Sequence, residues 1–128
     1  MGFFSDIFNP KYVLKPKNMD LVIGGLRYQT EKATLIASQV WKYEKDYPDS
    51  ELCGDFLYRT PNGRYFTQKQ RQKLKLGTEQ KFDDKKDVCR IESLTQTQSI
   101  DLYEKLPNKH VAFAEAFPST GRTQIEDA

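Results

Sequence analysis

Two apolar runs close to the middle of the chain, Phe56-Leu57-Tyr58 and Tyr65-Phe66, flank the polar stretch Thr60-Pro61-Asn62-Gly63-Arg64. Pro61 has the φ wanted at the second position of a type I turn, Asn62 suits the third, and Gly63 accepts the left-handed conformation that closes a three-residue hairpin. The spacing predicts a β-hairpin over about 54–70 in which Tyr58 faces Phe66 and Arg59 faces Tyr65. Further on, residues 88–94 alternate, with Val88, Arg90, Glu92 and Leu94 on one side and Cys89, Ile91 and Ser93 on the other, as in a half-buried strand. Residues 95–106 read as a helix, because Thr95 and Gln98 form a capping box, Ile100, Tyr103 and Leu106 share a face, and Pro107 stops the run.

The remaining segments carry weaker patterns. Phe3, Phe4, Ile7 and Phe8 share one face of a short N-terminal helix ended by Pro10, followed by a basic connector. Gly24-Gly25, set between 21–23 and 26–28, suggests a tight turn or a short strand pair. Residues 30–41 fit a strand better than a helix, 43–51 read as a polar loop, and 68–87 read as an exposed extension or loop with few apolar positions. Asn108 is expected to cap a second short helix through Ala116, ended by Pro118, with a frayed tail from Ser119. The sum is an α+β fold: a small antiparallel β-sheet of three to five strands with a central β-hairpin, one covering helix and a short C-terminal helix. Three divisions follow: an N-terminal amphipathic segment and connector over 1–20, a single α+β domain over 21–118, and a flexible tail over 119–128.

Composition changes this picture little. The 128 residues are 38% hydrophobic and 30% charged, with eight Phe and seven Tyr, enough aromatic area to fold a soluble domain. A net charge of +2 from twenty basic and eighteen acidic residues does not by itself declare a nucleic-acid or membrane partner. Cys53 and Cys89 are expected as free thiols. The chain shows neither a secretory apolar run nor a membrane-spanning stretch, so a reducing, cytoplasmic setting is expected. Asp6 stands where a myristoylation signal wants Ser or Thr.

The sharpest chemical feature is Lys69-Gln-Arg71-Gln-Lys73-Leu-Lys75, with four cations at alternate positions. On an extended strand all four share one face at ~6.6 Å spacing, a ridge able to follow a phosphate backbone. The competing reading is that lysines protect an exposed edge strand from aggregation. Tyr58, Arg59, Arg64 and Tyr65 are expected to be exposed on the hairpin as anchors for a partner, since Tyr and Arg dominate interface energetics. Asp83, Asp84 and Asp87 are interleaved with lysines and lack metal-loop spacing. His110 could pair with Cys53 or Cys89 as base and nucleophile only if the fold brings them together. A zinc site of thiolates and imidazole is short of ligands, so neither metal nor cofactor is expected, and the protein is expected not to be an enzyme.

Taken together, Gly25-Leu-Arg27-Tyr28-x-Thr30-Glu-x-Ala33-x-x-Ile36-Ala37 and Leu57-Tyr58-Arg59-Thr60-x-x-Gly63-x-Tyr65-Phe66, followed by a strand and a Gln-rich helix, resemble a family of short uncharacterised proteins from bacteria and their phages. Relatives often follow Tyr-Phe with a glycine-rich loop, where this chain carries the alternating basic run. The resemblance implies a hairpin, a strand and a helix, and a small non-enzymatic effector of mobile elements, such as an anti-defence or anti-CRISPR-like inhibitor of a nucleic-acid-handling host protein. Direct nucleic-acid binding through Lys69, Arg71, Lys73 and Lys75 is the alternative. A third possibility is attachment to a membrane or complex through Phe3, Phe4, Ile7 and Phe8. Either a monomer or a homodimer is compatible with these patterns.

Overall fold

A computed structural model describes residues 14–46, 49–74 and 87–118. The elements, in chain order, are β1 (Asp20–Ile23), β2 (Leu26–Gln29), β3 (Thr34–Asp46), β4 (Asp49–Arg59), β5 (Tyr65–Leu74), β6 (Val88–Leu94), α1 (Gln96–Lys105), β7 (Asn108–Lys109) and α2 (Phe113–Ala116). The α+β class with an antiparallel sheet holds, but there are two sheets where one small sheet is expected. β3 to β7 form one five-stranded sheet in the order β6-β5-β4-β3-β7, and β1 and β2 form a separate two-stranded hairpin.

Local chemistry accounts for the joints. Gly63 has φ 80° and donates its N–H to Thr60 O at 2.9 Å, which closes the β4–β5 turn in the expected register, Tyr58 opposite Phe66 and Arg59 opposite Tyr65. Gly24 and Gly25, with φ 58° and 81°, supply the two left-handed residues that a two-residue hairpin between β1 and β2 requires. Thr95 caps α1, accepting from Gln98 N at 3.1 Å while Gln98 Oε1 accepts from Thr95 N at 2.9 Å.

Three expectations are corrected. The polar loop over 43–51 is the end of β3 and the start of β4, paired as far as Asp46 opposite Asp49, because residues paired on both strands need no apolar alternation when one face is open to solvent. The exposed extension beginning at Gln68 is the inner strand β5, whose Gln68, Gln70 and Gln72 are buried. Asn108 caps no helix: it lies in β7 opposite Ser38, and Ala112 is the N-cap of α2.

Each face of the sheet has its own core. On one, residues 14–19 and the β1–β2 hairpin cover Leu52, Phe56, Tyr58, Phe66 and Ile91, with Leu14 and Tyr28 buried among them. Gln68 Nε2 donates to Lys17 O at 2.6 Å, while Gln70 accepts from Lys17 N at 2.9 Å and donates to Lys15 O at 3.2 Å. These bonds give partners to Gln68 Nε2 and to both ends of the Gln70 amide, groups that would otherwise cost about 1–3 kcal/mol each to bury, while Gln68 Oε1 is buried without one, and they bolt the 14–19 strap along the back of β5. On the other face, α1 and α2 cover Ala37, Leu57 and Tyr65 with Tyr103, Leu106 and Phe117. Tyr65 stacks on Phe117 at 4.9 Å between ring centroids and donates its hydroxyl to Ala116 O at 2.7 Å.

Candidate nucleic-acid interface

The helices reach only one end of their face. Beyond the row Ala37, Leu57, Thr67 and Glu92, the registers continue as Gln39–Asp55–Lys69–Arg90, then Trp41–Cys53–Arg71–Val88, then Tyr43–Glu51–Lys73. Trp41, Tyr43 and Val88 are 37%, 51% and 55% exposed, so among the described residues these rows lie open. They form a platform four strands wide: aromatics on β3, carboxylates and a thiol on β4, cations on β5, and a mixed outer strand, β6.

Alternation along β5 produces the cationic row. Lys69, Arg71 and Lys73 project onto the open face while Gln68, Gln70 and Gln72 point back into the opposite core. β5 is flanked by β4 and β6 as far as Arg71, so the edge-protection reading is removed for Lys69 and Arg71, whereas Lys73 lies past the last β6 partner, Val88. Lys75 lies outside the described residues, as do Phe3, Phe4, Ile7, Phe8, Asp83 and Asp84.

Charge on the platform is mixed. Arg90 Nε lies 3.2 Å from Glu92 Oε1, an exposed ion pair along β6. Among the described residues, no ion pair or side-chain hydrogen bond holds Lys69, Arg71, Lys73 or Asp55. Burial raises the Asp55 carboxyl above its ordinary value against the opposing pull of Lys69 and Arg71. Burial likewise raises the Cys53 thiol, which is 4% exposed on the floor between Trp41 and Arg71. A depression of about 410 Å³ lies over this floor, lined by Trp41, Asp55, Lys69, Arg71, Val88 and Arg90 among others.

The expected partner anchors fare differently. Tyr58 and Tyr65 are each 5% exposed, on opposite faces of β4–β5 and inside the two cores. Their expected exposure is therefore corrected, because strand alternation turns one toward the strap and the other toward α2, and both faces are covered at that end. Burial pushes Tyr58 up to about 12. Arg59 is partly buried, and Arg64 is exposed beside the turn, at the far end from the open platform. Sequence reading passed over Trp41, Tyr43, Asp55 and Arg90 as site residues. The signal for the first two was the alternation Gln39, Trp41, Tyr43, in register with the cations once β3 is extended past residue 41.

Other candidate chemistry separates. Cys53 on β4 and Cys89 on β6 are free, with β5 between them, and they face opposite sides of the sheet. His110 meets neither; its Nε2 lies 2.7 Å from the Oγ of buried Ser38, fastening β7 to β3. Among the described residues no group of three or more His, Cys, Asp or Glu could hold a metal ion, and no helix is long and apolar enough to cross a membrane. Comparison of the chain with protein-family models, curated proteins and solved structures finds no match.

Proposed function

We propose that the protein is a non-enzymatic binding module whose open sheet face takes single-stranded nucleic acid. The observation that carries this reading is the pairing of a cationic row, Lys69, Arg71 and Lys73 on β5, with two exposed aromatics, Trp41 and Tyr43 on β3, across β4 on one face. Neighbouring strands lie ~4.8 Å apart, so the aromatics stand roughly 10 Å from the cations. A strand laid along β5 would keep its phosphates on the cations and turn its bases across β4 to stack on β3, the combination that single-strand binders use. A duplex is disfavoured, because its bases are already stacked on one another and do not offer their faces to Trp41 and Tyr43.

The test uses Trp41, the chain's only tryptophan. Titrating the protein with short oligonucleotides at low salt should quench its fluorescence, with affinity falling as salt rises. Unchanged fluorescence, with no binding by a second method, overturns the reading. A second reading, a protein partner on the same face, is favoured by the carboxylates Glu51 and Asp55 set between the aromatics and the cations. Trp, Tyr and Arg are also the residue types that carry binding energy at protein interfaces. With the resemblance to phage-borne proteins, that partner would be a host protein that handles nucleic acid, and the chain its inhibitor. A stoichiometric protein retained from bacterial lysate after nuclease treatment, competing with no oligonucleotide, would favour this second reading.

A further inference from the structure

Asp55 has no obvious place in a surface built for phosphates. It lies in the row Gln39–Asp55–Lys69–Arg90, diagonal to Trp41 on β3 and to Arg71 on β5. Half-buried on the floor of the depression, it makes no ion pair or hydrogen bond among the described residues, although Lys69 is its direct cross-strand neighbour. A half-buried carboxylate offset only by the pull of Lys69 and Arg71, with no ion pair to either, costs free energy to keep. It presents two acceptor oxygens and no donor to whatever lies over the sheet.

We infer that Asp55 is a specificity-determining residue that selects guanine at the base stacked on Trp41. The inference rests on the nucleic-acid reading of the same face. Guanine presents two adjacent donors, N1–H and the N2 amino group, beside the acceptor O6. The two Asp55 oxygens accept the first pair, and the Lys69 ammonium or the Gln39 amide donates to O6. Adenine, cytosine and thymine or uracil each turn at least one lone pair of their pairing edge toward the carboxylate, which repels it. Partial desolvation sharpens that difference, since water competes poorly at a buried acceptor.

The experiment measures anisotropy of labelled short oligothymidylates carrying one central guanine, inosine, adenine or cytosine, as DNA and as RNA, against the full chain. The guanine probe should bind about tenfold tighter than the unsubstituted one, the scale of one good bidentate base contact. Inosine, which lacks the N2 amino group, should fall between them, and this comparison needs no variant. Asp55→Asn should erase the guanine preference, bringing the guanine and unsubstituted probes to the same affinity, because the amide no longer offers two acceptors to the N1–H and N2 donors. Equal affinity for all probes, or a preference that survives Asp55→Asn, overturns the inference while leaving nucleic-acid binding intact. Failure of every probe to bind at low salt overturns the binding reading and this inference with it.

Discussion

Salt dependence offers the most quantitative test of the open face. Each cation that neutralises a phosphate releases condensed counterions, and for single strands log K falls with log salt by about 0.7 per phosphate. Among the described residues, Lys69, Arg71 and Lys73 are the platform cations without an ion pair, whereas Arg90 is already paired with Glu92 at 3.2 Å. The expected slope is therefore about −2.1, an affinity loss of roughly twentyfold between 50 and 200 mM salt. Replacing Arg71 alone with Gln should bring the slope to about −1.4, a loss of roughly sevenfold over the same range. Replacing all three with Gln should flatten it, and Arg90→Gln should move it little. Glutamine is a mild choice here, because β5 already carries it at alternate positions and the three cations are exposed. Anisotropy titrations at four or more salt concentrations give the slope, and circular dichroism confirms that each variant is folded. A slope that the triple substitution leaves unchanged, or one that Arg90→Gln reduces as much as Arg71→Gln, would refute the assignment of phosphate contacts to β5.

Further outcomes follow from the same geometry. Trp41→Ala should weaken oligonucleotide binding by about 1–3 kcal/mol, the worth of one stacked base, while leaving the salt slope unchanged; a changed slope would show that Trp41 acts on charge rather than on stacking. Gly54→Ala should destabilise the fold by about 1–3 kcal/mol through overpacking, since a Cβ there would stand 2.5 Å from Leu14 Cδ2 and 2.7 Å from Phe56 Cε2, and thermal unfolding measures it. Tyr65→Phe leaves Ala116 O without its 2.7 Å donor and should lower stability by about 1–3 kcal/mol without altering oligonucleotide affinity. Burial raises the Asp55 carboxyl, so the unfolded chain releases that proton first and stability falls as pH rises through the carboxylate range. Asp55→Asn should therefore raise the melting temperature at neutral pH and have no effect at pH values below the ordinary carboxylate range; an equal gain at both would refute the charge argument.

How much of this was legible before the coordinates depends on whether the signal was local. Pro61-Asn62-Gly63 sets the hairpin register because turn chemistry acts over four residues, and Thr95 with Gln98 marks the start of α1 for the same reason. The alternating cations were readable as one face of a strand, yet 68–74 also read as solvated sequence. Gln68, Gln70 and Gln72 look polar, and only the strap at Lys15 and Lys17 shows why they are buried. Tyr58 and Tyr65 were expected on the surface because aromatics on a two-stranded hairpin are half exposed; neither the cover from 14–19 nor that from α2 can be inferred from the hairpin itself. Trp41 and Tyr43 joined the site only once β3 ran on to Asp46, past the boundary that local polarity suggested.

The lengths of the elements explain why an open platform exists at all. β3 has 13 residues and β5 has 10, so they span roughly 43 and 33 Å at 3.3 Å per residue. α1 has 10 residues and, lying across β4, β5 and β6, shields a band about 10 Å wide along the strands. One such helix, with the four-residue α2 beside it, leaves the far end of that face uncovered. The opposite face bears the stabilising burden at the open end: Leu14 packs against Gly54, and the strap hydrogen-bonds to Gln68 and Gln70, directly behind Lys69 and Arg71. Fixing the backbone from behind holds the cation row in register without placing any side chain in front of it. Binding then needs no folding of the platform, and the entropy of ordering it is met by the core on the other side of the same strands.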